Sequence, residues 1–209
     1  MRPNIEEVLR YLGAGEDAPA DLRQSVEEVG RELDLQPRWT WQVVSLDEAC
    51  PIPLEGKLAR TMLAQCDRAV VFCCTLGMEF DTMLRAWQAR DMARAVILDA
   101  WGSAWVESGC DEAEKEIAER FPGLFLTDRF SPGYGDLPLA LQEDICRLLD
   151  LQRRLGIYMA ENYFLTPQKT VTAIIGLAES PQMARIRGCD CCAMRENCLL
   201  RKGGKRCAL

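Results

Sequence analysis

The sequence predicts an α+β fold, a sheet flanked by helices, and three observations carry that prediction. Ala69-Val-Val-Phe-Cys-Cys74 is continuously apolar, as a central strand covered on both faces should be. Two other stretches have the two-residue period of strands: Trp39, Trp41 and Val43 alternate with Arg38, Thr40 and Gln42, and Val171, Ala173, Ile175 and Leu177 alternate near the end. Helical stripes fall between these strands in an irregular order, not as a regular βαβ series, which favours α+β over a doubly wound sheet. At 209 residues the chain is long enough for one sizeable core, or at most two small ones.

Taken in order, Ile5, Val8, Leu9 and Leu12 fall at i, i+3, i+4 and i+7 and read as a short helix ended by Gly13. Pro19 opens a second helix with Leu22, Val26, Val29 and Leu33 on one stripe. After the strand at Trp39 to Val43, a break at Pro51 and Pro53 leads into a helix bearing Leu58, Met62 and Leu63. The apolar strand ends at Thr75-Leu-Gly77, and Phe80, Met83, Leu84 and Trp87 give the next stripe. Cys73 and Cys74 must point to opposite faces of their strand, so they are expected to be buried and not to share one ligand. From Asp91 to about Arg120 runs a long helical pattern, apolar nearly all round from Ala93 to Val106, which belongs in the interior. Gly102, Ser103 and Ala104 form a patch without bulk on it, open to another backbone or a ligand, and Glu107 lies one turn beyond Ser103. Phe121-Pro-Gly123 ends the helix, Leu124 to Phe130 is expected as a strand, and Leu141, Ile145 and Leu148 line the helix that follows. Extended structure restarts at Gly156 and Ile157, with polar loops at 161–163 and 166–169 before the last strand.

Composition narrows the chemistry. There are eleven cysteines, no histidine, and a formal net charge of -7. Without histidine there is no Ser-His or Cys-His nucleophile, no His-ligated zinc and no His ligand for a corrinoid carried by this chain. The negative charge disfavours nucleic acid as a partner. No run of eighteen apolar residues occurs and Met1 to Arg10 lacks the apolar core of a signal peptide, so a soluble, cytoplasmic protein away from membranes is expected, its thiols reduced. The charge is uneven: Arg185, Arg187, Arg195, Arg201, Lys202, Lys205 and Arg206 oppose Asp190 and Glu196, which leaves +5 on residues 185–209 and -12 on residues 1–184. Two units are read from this, a body over 1–184 and a basic, Cys-rich tail over 185–209.

The densest stretch is Arg129-Phe-Ser-Pro-Gly-Tyr-Gly-Asp-Leu-Pro138. Pro132 and Gly133 set a tight turn, Gly135 lets a ligand approach the main chain, and Asp136 is placed to cap the helix that follows Pro138. Gly133-x-Gly135 is too little for a dinucleotide fingerprint, and no Walker A sequence exists. Arg129, at a strand end beside a glycine turn, suits a ligand carboxylate. Its alternative is an ion pair with Asp128, Asp136 or Glu107.

Arg129-x-x-x-Gly133-Tyr134 resembles the S-adenosylmethionine-binding signature of the activation (reactivation) domain of cobalamin-dependent methionine synthase. The resemblance extends to Glu161-Asn-Tyr-Phe-Leu-Thr-Pro167 and Val171-Thr-Ala-Ile-Ile-Gly176, and the leading Leu9-Arg-Tyr-Leu-Gly13, the Thr75-Leu-Gly77 turn and the phrase from Arg129 to Leu139 are similar to short, free-standing members of that family. It covers residues 5 to 180. It implies a largely antiparallel twisted sheet, Arg129 holding the methionyl carboxylate of S-adenosylmethionine, and Ser131, Pro132, Gly133, Tyr134, Gly135 and Asp136 lining the rest of the pocket. The family's helix carboxylate aligns with Ser103, leaving Glu107 as a shifted substitute, and its Ala-Cys-Pro is replaced by Gly135-Asp136-Leu137-Pro138. The implied chemistry is reactivation: an oxidised corrinoid on a separate methionine synthase or corrinoid methyltransferase takes one electron from a donor such as a flavodoxin or ferredoxin, and the Co(I) formed attacks the sulfonium methyl. The domain positions and shields, and needs no nucleophile of its own.

The tail is a second candidate site. Cys189, Cys192, Cys198 and Cys207 give C-x2-C-x5-C-x8-C, with Cys191 to spare, and could close around zinc or an iron-sulfur cluster. Two other readings therefore stand beside reactivation: a metal-bearing redox protein that acts on a corrinoid partner without S-adenosylmethionine, and an interaction module with a zinc-stapled tail.

Overall fold

The computed structural model describes residues 2–14, 17–182, 186 and 196. Four strands form one sheet in the order β1-β2-β6-β3, with every neighbour antiparallel: β1 (Arg38–Ser45), β2 (Cys66–Thr75), β6 (Thr170–Ala178) and β3 (Phe125–Leu126). The expected α+β class and antiparallel pairing hold. The register sets Trp41 against Phe72 and Phe72 against Ala173. Because side chains alternate along a strand, β2 divides its residues between two cores. Val70, Phe72 and Cys74 enter one, and Ala69, Val71 and Cys73 the other. The two adjacent thiols are thus buried on opposite faces, as the strand pattern requires.

The first face is covered by α1 (Ile5–Tyr11), α2 (Ala20–Arg31), α4 (Met78–Gln88) and α5 (Met92–Arg120). Each boundary has a local cause. Asn4 accepts a hydrogen bond from Glu6 N at the start of α1, and Asp91 accepts one from Arg94 N at 3.1 Å at the start of α5. At 29 residues, about 43 Å long, α5 crosses the whole face. Its first half is buried on most sides from Ala95 through Val106, because α1, α2 and α4 pack about it and the sheet lies beneath, while Val96 and Asp99 leave one side open. The second face carries α3 (Lys57–Met62), α6 (Leu141–Leu148) and α7 (Leu151–Leu155), with Ile145, Leu149 and Leu151 fully buried. A small hairpin, β4 (Tyr158–Met159) with β5 (Leu165–Thr166), stands apart from the main sheet. Among the described residues no helix is long and apolar enough to cross a membrane.

Two expectations need correction. The strand expected from Leu124 to Phe130 is interrupted. Phe125 and Leu126 pair with β6, and Phe130 returns to it through two hydrogen bonds with Ile174, at 3.1 and 2.9 Å. In between, Thr127 donates its N–H to Gly176 O and its hydroxyl oxygen accepts Gly176 N–H at 2.9 Å. Three steps on this edge, Thr127 to Phe130, therefore face two on β6, Gly176 to Ile174. The extra residue is a bulge, and it turns Asp128 and Arg129 out of the ladder.

The Gly102 part of the bulk-free patch on α5 is also filled from within, while Ser103 stays partly open. A Cβ on Gly102 would lie 2.2 Å from Phe80 Cζ, so the notch holds the Phe80 ring and not a ligand. Gly102→Val is expected to lower unfolding stability by about 1–3 kcal/mol through overpacking, checked by urea denaturation. An unchanged midpoint would mean that the ring has other room.

Candidate functional site

Arg129 sits where the bulge aims it, against the middle of α5. Its Nη2 donates to Glu107 Oε2 at 2.5 Å, and its Nη1 donates to Asp111 Oδ1 at 2.7 Å and to Glu114 Oε1. The guanidinium side chain is 11% exposed. Residues 107, 111 and 114 are one stripe of the helix at i, i+4 and i+7, so a single side chain spans three carboxylates. Burial works against the Arg129 charge, but Glu114, Asp111 and Glu107 outweigh it and hold the group protonated above its ordinary range. The ion pair with Glu107 is one of the two readings open for Arg129 from the sequence. Asp111 and Glu114 were not anticipated, although their helical spacing from Glu107 was the available signal.

α1 closes the near side. Burial pushes the Glu7 carboxyl up, opposed by Arg10 and reinforced by Asp111 and Glu107. Burial likewise pushes the Tyr11 hydroxyl up, with Glu107 adding to it. On the core side the cluster is backed by inert sulfur. The Cys110 thiol lies well above its ordinary range, held by its hydrogen bond to Cys74 and by burial, and Cys74 Sγ donates to Val106 O at 3.8 Å.

The turn after Arg129 belongs to the other face. Gly133, at φ +89°, donates its N–H to Leu137 O at 2.9 Å, and Tyr134 N donates to Ser131 O. Pro132 is buried, Leu137 enters the second core, and Gly133 through Asp136 are exposed, with Tyr134 57% exposed. Gly135 lies over Leu58. Asp136 does not cap the helix after Pro138. Its Oδ2 accepts Lys57 N–H at 2.5 Å and its Oδ1 accepts Leu58 N–H at 2.9 Å, which caps α3, 78 residues earlier in the chain. These two backbone bonds hold its carboxyl below the ordinary range, while α6 has Ala140 as its N-cap residue and no side-chain cap. The structure thus joins Arg129 to Glu107, and joins the 131–137 turn to α3.

One turn before Glu107 along α5, Ser103 belongs to a second polar group. Lys169 Nζ donates to Ser103 Oγ at 2.8 Å and pairs with Asp99 Oδ1 at 2.9 Å. Lys169 is placed by its own loop, since buried Asp81 accepts Gln168 N–H with both oxygens and Lys169 O accepts Leu76 N–H. Asp99 and Ser103 also line a cleft of about 350 Å³ between the end of α1, the end of α4 and the first half of α5.

The architecture can be compared with solved structures at this point. The fold is similar to that of the MetH reactivation domain crystallised with AdoHcy, with a TM-score of 0.56 and 15% sequence identity over 95% of this chain and 73% of the other. The chain has the fold of the MetH reactivation domain. No family model matches the sequence, and no curated protein does. Cys189, Cys192, Cys198 and Cys207 lie outside the described residues, as does most of the 185–209 tail. Among the described residues no group of three or more cysteines and carboxylates is arranged to hold a metal ion. Ile186, at the base of the tail, donates its N–H to Asp128 Oδ2 at 3.0 Å, beside Arg129.

Removing the guanidinium would leave three carboxylates crowded on one helix face. With a discount for the exposure of Glu107 and Asp111, Arg129→Ala is expected to cost about 1–3 kcal/mol of stability. Adding Glu107→Gln and Asp111→Asn should recover much of that loss in urea unfolding. A strictly additive further loss would show that the cluster is not electrostatically coupled.

Proposed function

We propose that this chain binds S-adenosylmethionine against α5 and presents its methyl group to a corrinoid carried by a partner protein. The observation that carries the reading is the reactivation-domain fold joined to the placement of Arg129, which stands at the edge bulge of the sheet with Glu107 as its partner.

The charges support the same reading. Arg129 and the three carboxylates it pairs with carry one positive and three negative charges, and Glu7 and Arg10 of α1 beside them offset each other. That surplus suits a ligand with one carboxylate and two cationic groups, an α-ammonium and a sulfonium. In this proposal Arg129 takes the methionyl carboxylate, exchanging the bond to the more exposed Asp111, while Glu107 accepts from the ammonium. Bound there, the sulfonium supplies an activated methyl group for the reduced corrinoid. The remaining work belongs to this chain. α1, packed against α5 beside the cluster, would limit water around the sulfonium, and the carboxylates of Asp111 and Glu114 would favour the cationic donor over its neutral demethylated product. No side chain need act as a nucleophile or carry a proton. The exposed turn from Gly133 to Asp136, with Tyr134, lies where a docking partner could touch it. The electron for the corrinoid would come from a separate donor of the flavodoxin or ferredoxin class.

Isothermal titration of the full chain with S-adenosylmethionine tests this. Micromolar-range binding is expected, lost at least a hundredfold in Arg129→Ala and weakened about tenfold in Glu107→Gln, as befits charge-assisted contacts of about 1.5–3 kcal/mol. The saturation of Arg129 by carboxylates favours a second reading, a protein that acts on a corrinoid partner without this ligand. A folded wild-type chain that shows no heat of binding selects that second reading and contradicts the first.

A further inference from the structure

The two edges of the sheet are built differently. β3 pairs for two residues and then breaks at the Thr127 bulge, beyond which Asp128 accepts the N–H of Ile186. All eight residues of β1 pair with β2 in one unbroken register, from Arg38 against Thr75 to Ser45 against Arg68, and the far side of β1 is the other edge of the sheet. The devices that close an edge to further strands are missing there. β1 contains no proline, lysine or glycine and no bulge, and its one charged residue, Arg38, stands at the first position.

Backbone parity fixes which groups are open. Leu46 donates its N–H to Asp67 O at 2.9 Å, on the same diagonal as the β1–β2 register. Bonded and non-bonded pairs alternate along an antiparallel ladder, so Thr40, Gln42 and Val44 exchange hydrogen bonds with β2, while Trp39, Trp41, Val43 and Ser45 turn N–H and C=O outward. Among the described residues no backbone hydrogen bond reaches these outward groups. The indole N–H groups of Trp39 and Trp41 are committed to Glu116 of α5.

The edge is self-complementary. When two antiparallel copies of β1 are centred on Gln42, outward residues meet outward residues: Trp41 faces Val43 of the other copy, and Trp39 faces Ser45. Exposed Gln42 faces its own copy, and Thr40 faces Val44. An aromatic ring against a β-branched side chain is a favourable cross-strand pair, and no like charges are opposed. The ends match as well. Arg38 opens the strand and Asp47 and Glu48 follow it, so antiparallel pairing brings Arg38 of each copy beside the acidic end of the other.

We propose that β1 is a homodimer interface, in which two copies join edge to edge about a two-fold axis through Gln42 and their two four-stranded sheets become one. The contact uses the open edge of both copies. Arg129 and its carboxylates stay at the two outer ends, so the pairing leaves the candidate site free and does not depend on its ligand.

Sedimentation equilibrium of the full chain over a dilution series tests this, with amide hydrogen exchange read at the same concentrations. A reversible dimer is expected, with exchange at Trp41 and Val43 slowing as the chain concentration rises. Val43→Pro, which removes an outward N–H and no bond to β2, should weaken dimerisation at least tenfold. Gln42→Lys, which sets two like charges against each other at an exposed position, should weaken it at least threefold, and it decides the matter if Val43→Pro does not fold. A wild type that is monomeric at every concentration overturns the proposal, and protected β1 amides in that monomer would show that another segment fills the edge. A dimer that responds to neither substitution overturns it too, because the contact then lies elsewhere.

Discussion

The single guanidinium of Arg129 ties the edge of the sheet to its longest helix, and the candidate site depends on that tie. The bulge at Thr127 to Arg129 takes one residue out of register with β6 and so frees a side chain that a regular strand would have committed to the ladder. The freed side chain spans three carboxylates that α5 presents on one stripe. A cation held by three anions is well fixed in place, yet it is not electrically balanced by them. The result is a rigid guanidinium within an acidic surround, the feature on which the proposed ligand reading rests.

α5 gives this cluster its stiffness. Its first half is locked by rings and sheet: Phe80 fills the notch at Gly102, and the indole N–H of Trp101 donates to Val26 O at 2.9 Å. Its second half is held by Glu116, which accepts the indole N–H groups of both Trp39 and Trp41 on edge strand β1, at 2.8 and 2.9 Å. Glu107, Asp111 and Glu114 lie between these anchors, so the carboxylate stripe cannot rotate away without breaking contacts on both sides. Such preorganisation is what a site that works by orientation requires.

The parts of the fold legible in the sequence were those set by local periodicity. The two-residue alternation of β1 and β6, the continuous apolar run of β2 and the stripes of α1, α2, α4 and α5 all stood out because burial imposes them residue by residue. The two cores on either side of β2 followed from the same parity, including the separation of Cys73 from Cys74. What escaped was tertiary. Asp136 has the sequence context of a cap for its own helix, but the chain folds it onto α3, and nothing near Asp136 announces residues 57 and 58. Gly102 reads as open space until Phe80 is seen to occupy it, and the five-residue α7 is too short to leave a period. At the site, Arg129 and Glu107 were legible through a motif and a helical spacing. The cleft was not, because its walls come from the ends of α1 and α4 and its charge balance from Lys169, 70 residues beyond Asp99.

The account turns on where a sulfonium nucleoside would lie relative to Arg129, and a crystal structure of the full chain grown with S-adenosylhomocysteine addresses that most directly. The ligand carboxylate is predicted within hydrogen-bond distance of Arg129, with Asp111 released from the guanidinium. A ligand bound elsewhere, with Arg129 still held by Glu107, Asp111 and Glu114, would contradict it.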